Sequence, residues 1–526
     1  MRTLLPLLAF LLLTVSPLWA QEPEEKVEAH IRFLADDLTE GRSLGSKGLD
    51  IAALYFESQF RRLGLKPPFD GSYRQPFTLV GSKPDPEARL EFQSAGGSIL
   101  KGDYGNNFVL FSYRQDAEPV ISGELVYAGY LIDAPERQWD DLKGVDLKDK
   151  VLLVEVNEPE NRPGGRFDGT AMTIYGRWTY KYDKAAELGA KGILLVHNTK
   201  RAAYGWDVVR NSWTIEGFFL PELSRNSPFE GWVSEDVARK VVAAGGKDYD
   251  KLLARAETTA FKPVPLGVEV VAEQRPTFRK ATGANVAGML PGVNPNRTPV
   301  VVVTAHYDHN GTDGKGGIYN GVVDNTSACA ALLLMAEEMS EGDPLPVNVL
   351  FAAVTAEEQG LWGSTYLANN PPVDASRIWA DINLEMTNIW TPTEDVYGIG
   401  ASQSSLDNAC REAAENLNLE YIPEQDKENG FFFRSDQFPF AKAGIPSVWL
   451  HEGLKAQGKP ADFMREALRD YRSKRYHKVS DELAHWEPIW DLSATVQMAR
   501  WAEEVVKVVA NSKRRPRYRE DSAFGK

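Results

Sequence analysis

Cysteine is almost absent: Cys329 and Cys410 are the only two in 526 residues. Two thiols cannot staple a chain of this length, so stability must come from elsewhere, chiefly packing, even where export would permit a disulfide. With no basic partner nearby in sequence, Cys329 reads as a small core residue and not as a nucleophile. Long apolar runs are equally scarce. Beyond the N-terminal MRTLLPLLAFLLLTVSPLWA none reaches the ~20 residues of a membrane span, and that first run has too short an apolar core for one. Its single Arg, apolar core and closing Ala20 before QEPEEKVE read as a cleaved export signal over residues 1–20, which implies a secreted or periplasmic protein. Positive charge is in deficit too. A formal net charge of −15 argues against nucleic acid and against an anionic membrane surface as partners. The basic stretch Lys513-Arg514-Arg515-Pro516-Arg517 reads as part of a flexible, solvated tail over 513–526.

Apolar and aromatic residues are plentiful, at 43% and 10%. That permits a large core, and ~150 residues per domain allows two or three domains. Two β-branched and apolar runs, Val300–Thr304 and Val347–Val354, have the length and residue types of buried strands. The first ends in His306-Tyr-Asp308 and the second leads to Glu357-Glu358. Between them Gly321-Val-Val-Asp324-Asn325 opens a helix over Thr326–Met339. Such a strand–helix–strand unit sets both strand ends on one side, where ligands bind in open α/β sheets.

A hydrolytic metal site needs imidazole and carboxylate ligands, a bridging oxygen group where there are two ions, and one carboxylate left free as base. His306 is the candidate imidazole ligand, Asp324 the carboxylate that can bridge two ions, Glu358 a further ligand, and Glu357 the free carboxylate that holds a water. Adjacent residues beyond a strand end point different ways, so Glu357-Glu358 divides naturally into a base and a ligand. Taken singly, Glu-Glu is an ordinary solvated acidic pair and His306 a hydrogen-bonded loop histidine. Neither reading explains why polar groups collect at strand ends flanked by glycine and small residues.

Three ordered blocks, HYDH from His306, GVVDNTSACAALLLMAE from Gly321 and TAEEQGLWGS from Thr355, resemble the signatures of the co-catalytic di-zinc exopeptidases, the group containing secreted bacterial aminopeptidases and glutamate carboxypeptidase II. The resemblance implies an α/β fold with a mostly parallel mixed sheet flanked by helices. It implies two Zn2+ ions bridged by Asp324, with His306 and Glu358 among the ligands, Glu357 as general base, and Asp308 accepting the second ring N–H of His306. Tyr476-His477-Lys478-Val479-Ser480-Asp481 resembles the family's last block, in which the His is the final ligand and the Tyr hydroxyl hydrogen-bonds the tetrahedral intermediate.

Two blocks depart from the family. In the strand Ile378–Thr387 the chain has Asn383-Leu384-Glu385-Met386 where Asp is usual. Glu385 therefore takes the ligand position with one extra methylene, and Asp381, four residues earlier on the same side of the strand, is the alternative. Ser435-Asp436-Gln437 stands where Ser-Asp-His is common, so Asp436 reads as a pocket residue and Gln437 removes a proton-transfer group. His451 reads as a strand-end histidine. Near the start, two helical pieces within Glu24–Leu65 flank Glu40-Gly41-Arg42, which resembles the family's N-terminal block and is accounted for as a turn.

The runs ISGELVYAGY, LKDKVLLVEV and AKGILLVHN, with a helix over Tyr182–Leu188, resemble a β-rich protease-associated domain. It is expected over 119–265, splitting the catalytic domain into 21–118 and 266–512, and no residue set in it has metal-ligand spacing. ATGANVAGMLPG followed by VVVVTAH reads as a hairpin entering the catalytic sheet, and Pro488–Val509 as a closing helix. The expected activity is that of a secreted zinc aminopeptidase acting on peptides. A carboxypeptidase for acidic C-terminal residues, with Arg434 as clamp, is the alternative. A receptor-like homologue would have lost ligands, whereas an oxygen or imidazole group stands here at every expected place.

Overall fold

The computed structural model describes residues 21–526 other than 95, 161, 224–226, 297 and 526. The export signal read over 1–20 lies outside the described residues. Within Val300–His306 the side chains alternate between two cores: Val300 and Val302 pack with Leu350, Val354, Leu367 and Phe440, while Val301, Val303 and Ala305 pack with Val349, Phe351 and Ala353. A near-continuous apolar run is what a strand covered on both faces requires.

Nine strands form the first sheet: β1 (Arg74–Lys83), β2 (Gly217–Phe219), β3 (Thr277–Leu290), β4 (Val300–His306), β5 (Asn348–Val354), β6 (Ile378–Leu384), β7 (Asp395–Ile399), β8 (Glu420–Tyr421) and β9 (Ser447–Glu452). Their order is β2-β1-β3-β5-β4-β6-β9-β7-β8. The four central strands, β5, β4, β6 and β9, are parallel, with antiparallel neighbours β3 and β7 on either side. Parallel strands deliver their carboxyl ends to one edge, and His306, Glu357-Glu358 and Glu385 all lie there. Helices α1 (Pro23–Leu34), α2 (Lys47–Arg62), α3 (Ala328–Glu341) and α4 (Ser493–Asn511) cover one face. Helix α3 is apolar nearly all round because the sheet, α1 and α4 enclose it; each of its buried leucines contributes roughly 1.5–3 kcal/mol. Among the described residues no helix is long and apolar enough to cross a membrane.

Three sequence expectations change. The segment before Val300 does not form a hairpin with it: β3 pairs antiparallel with β5, Val286 opposite Ala353. β4 lies on the far side of β5, parallel to it. The eight-stranded second sheet also reaches beyond 119–265, since Arg89–Ser94, Gly97–Lys101 and Phe108–Phe111 belong to it and Val270 is paired with Phe92 on one side and Gly123 on the other. Conversely, β2 falls inside that stretch yet joins the first sheet through Val80 and Phe219. The tail, finally, is packed down: Tyr518 donates to the Ile445 carbonyl, and Phe524 is buried against Phe432 and Phe438.

Candidate metal centre

At the end of β4 the chain turns through His306 and Asp308, both fully buried. The turn is held from outside. The Arg42 guanidinium, 1% exposed, donates to the carbonyls of Leu34 (2.5 Å), Tyr307 (2.8 Å), Asn320 (2.7 Å) and Gly321 (3.4 Å). One planar fork thus ties α1 to the loop carrying His306 and to the loop carrying Asp324. Gly41, at φ +65°, accepts from the Gly311 N–H, and a Cβ there would lie 2.2 Å from the Gly311 oxygen. Gly41→Ala is expected to destabilise by more than ~1 kcal/mol, measured by urea unfolding. The Glu40-Gly41-Arg42 turn is therefore a brace for the site as well as a connector.

The loop of Asp324 is fixed from the opposite side. The buried carboxylate of Asp481 accepts the Val323 N–H, the Asp324 N–H and the Trp486 indole N–H. With these restraints His306 Nε2 lies 3.3 Å from Asp324 Oδ1 and 3.2 Å from Glu385 Oε1. His477 Nε2 lies 3.1 Å from Asp324 Oδ2 and 3.1 Å from Glu358 Oε2. His477 is 41% exposed and forms the rim, with the Tyr476 ring stacked on it at 3.9 Å. The five residues expected as ligands come together, and Asp324 stands between two groups of donors.

Asp308 does something other than expected. His306 Nδ1 is nearer the Asp308 carbonyl (3.3 Å) than its carboxylate (3.8 Å). The carboxylate instead accepts the Glu357 and Glu358 backbone N–H groups at 3.2 and 3.3 Å, which aims that pair into the pocket. Asp381 accepts from Thr304 at 3.0 Å and lies outside both donor groups, whereas Glu385 groups with His306 and Asp324. Ser435 donates to Glu385 at 2.5 Å and receives from Asn383. Asp436 accepts from Ser364, and Gln437 from Asn383.

Sequence reasoning missed His309. It is fully buried, its Nδ1 lies 2.5 Å from Glu358 Oε1, and its donor atom groups with those of Asp324 and Glu358. No spacing rule singles out a histidine three residues beyond another in an irregular loop; only the fold brings it to Glu358. Cys329, by contrast, is the core residue expected: buried beneath the loop, it donates to the His306 carbonyl. Both cysteines are free thiols.

The electrostatics are those of an acid-rich pocket. Burial works against the charged form of His306, but Glu385, Glu357 and Asp324 outweigh it and push the imidazole well above its ordinary range. Burial likewise opposes His477, while Glu358 and Asp324 push it up to about 11. Burial, reinforced by Glu385, Glu358 and Asp436 against the pull of His306, drives Glu357 well above the usual carboxylate range. Burial also lifts the Tyr476 hydroxyl, which stays a neutral donor.

Zinc fits this donor set. A tetrahedral ion with bonds of ~2.0–2.1 Å has ligand atoms about 3.3 Å apart, and the four separations given above run from 3.1 to 3.3 Å. Imidazole and carboxylate together suit zinc.

Residues 285–500 match the model of peptidase family M28. The chain is similar to leupeptin-inactivating enzyme 1 of Streptomyces exfoliatus, 31% identical over 220 residues that cover 40% of this chain and 45% of that one. It is also similar to aminopeptidase YwaD of Bacillus subtilis, 28% identical over 175 residues covering 32% and 36%. The aligned segments thus span less than half the length of these curated relatives. An aminopeptidase from Aneurinibacillus sp. strain AM-1 is similar in structure, with a TM-score of 0.51 at 18% identity over 94% of this chain and 95% of that one; the likeness is one of fold, a mixed α/β sheet flanked by helices.

Proposed function

Residues 285–500 match the model of peptidase family M28, and we propose that the chain is an exported two-zinc aminopeptidase of that family. The observation that carries this reading is the pair of donor groups sharing Asp324, one with His306 and Glu385, the other with Glu358 and His477. Zinc bound there supplies Lewis acidity, lowering the pKa of water and polarising a carbonyl. The remaining chemistry is done by side chains. Glu357, lifted above the ordinary carboxylate range by burial and by its acidic neighbours, takes the proton of the attacking water and returns it to the leaving amine. Tyr476, neutral and at the rim, donates to the developing oxyanion. Asp308 holds Glu357 and Glu358 through their backbone N–H groups, and Arg42 with Asp481 sets the loops of His306 and Asp324 in register.

The second sheet is proposed to be a protease-associated module inserted between the two parts of the catalytic unit, and the segment over 1–20 a removable export signal. Sequencing the N-terminus of the mature protein tests the latter, with loss of residues 1–20 expected.

Hydrolysis of a panel of aminoacyl-p-nitroanilides, set beside peptides ending in acidic residues, tests the activity. Cleavage of the anilides is expected, abolished by chelation and restored by zinc. Cleavage confined to the acidic C-termini makes the enzyme a carboxypeptidase. His306→Ala is expected to lose zinc by elemental analysis, and a full complement of two ions in that variant would remove His306 from the ligand set.

A further inference from the structure

The His309 ring is fully buried, and neither of its nitrogens has a hydrogen-bond partner; nor does Glu358 Oε1, although it lies only 2.5 Å from His309 Nδ1. A buried ring nitrogen with no partner, as Nε2 has none, costs roughly 1–3 kcal/mol. A nitrogen and a carboxylate oxygen that are close but misaligned for hydrogen bonding are arranged as two ligands facing one cation. The ring has little freedom to turn elsewhere. The His309 backbone N–H donates to the Arg42 carbonyl, which fixes the chain there, and Gly321, at φ +60°, approaches so closely that a Cβ there would meet the ring at 2.8 Å. The His309 and His477 rings stand 5.8 Å apart and edge-on, converging on the oxygens of Glu358 from two sides.

We propose that His309 is a ligand of the second zinc, beyond the five side chains that the family resemblance implies. Resting on the two-zinc reading above, this makes the two positions unequal. One is closed by four protein donors, His309, Asp324, Glu358 and His477, the other has three, His306, Asp324 and Glu385. Four-donor sites are typical of tightly held structural zinc, whereas three-donor sites keep a position for water or substrate. Widening the 2.5 Å contact by about 0.8 Å, a small side-chain rotation, gives the ligand separation of a tetrahedral zinc. The first equivalent of metal therefore enters the pocket of His309, and substrate is handled at the pocket of His306.

The test is metal binding to the chelated protein, by calorimetry with Zn2+ and by visible absorption with Co2+. Wild type is expected to bind two equivalents in separate steps, the tighter giving the intense absorption of four-coordinate cobalt. In His309→Ala the tight step is expected to weaken by more than the ~10–100-fold that loss of a supporting partner produces, with reduced absorption and the weaker step unchanged. His309→Gln, close in size and still able to donate to Glu358, separates the roles: a ligand is not replaced by it, whereas a mere hydrogen-bonding prop is. Wild-type affinity for the first equivalent in the Ala variant, or its rescue by Gln, overturns the proposal. Wild type binding no metal overturns the two-zinc reading itself.

Discussion

Glu357→Gln is expected to retain two equivalents of zinc and to lose kcat by about 10²–10⁴-fold, the range a positioned general base contributes. That is ~3–5 kcal/mol of barrier. The amide keeps the size of the carboxylate, and the backbone N–H that Asp308 holds at 3.2 Å is unchanged, so KM should move little. Metal should stay because the Glu357 carboxylate is in neither donor group. Elemental analysis and steady-state kinetics on one preparation check both halves. Near wild-type turnover with full metal would end the base assignment, while lost metal would make Glu357 a ligand.

Arg42 carries the second large effect. Removing its side chain as Arg42→Ala takes the guanidinium from the carbonyls of Tyr307, Asn320 and Gly321 and leaves that of Leu34 with only the Thr39 hydroxyl. Hydrogen bonds to a charged group contribute ~1.5–3 kcal/mol each, and these share one donor, so a loss of roughly 3 kcal/mol or more is expected in urea unfolding. Arg42→Lys should restore little, because a single ammonium on a flexible stem cannot span acceptors on three segments. Zinc affinity should fall with stability in both variants, since the same guanidinium sets the loops of His306 and Asp324. A variant with wild-type unfolding and metal content would show that the loops hold their shape unaided.

What could be read from the chain followed from residue type. Four successive valines ending in a histidine announce a buried strand whose polar end faces a crevice, and a Glu pair closing the next apolar run points to the same edge. Those features place His306, Asp324, Glu357 and Glu358 before any coordinates are known. The rest depended on long-range geometry. Strand neighbours could not be inferred from order: β3 looks like the partner of β4, yet both pair with β5, on its opposite sides. The edges of the second sheet were hidden because Arg89–Ser94 alternates as any half-buried strand does. His309 had no distinguishing context, and the Asp308 carboxylate could be assigned to the imidazole or to the Glu357-Glu358 amides only by distance. Phe524 in a charged tail looked solvated, and it became a core residue because Phe432 and Phe438 left an apolar surface to cover.

The central claim is that distant side chains cage a pair of cations about Asp324. Diffraction from zinc-loaded crystals at the zinc absorption edge reads it directly. Two anomalous peaks are expected, each within bonding distance of one Asp324 oxygen, one beside His306 and Glu385 and the other beside Glu358 and His477. A single peak, or none in contact with Asp324, would contradict it.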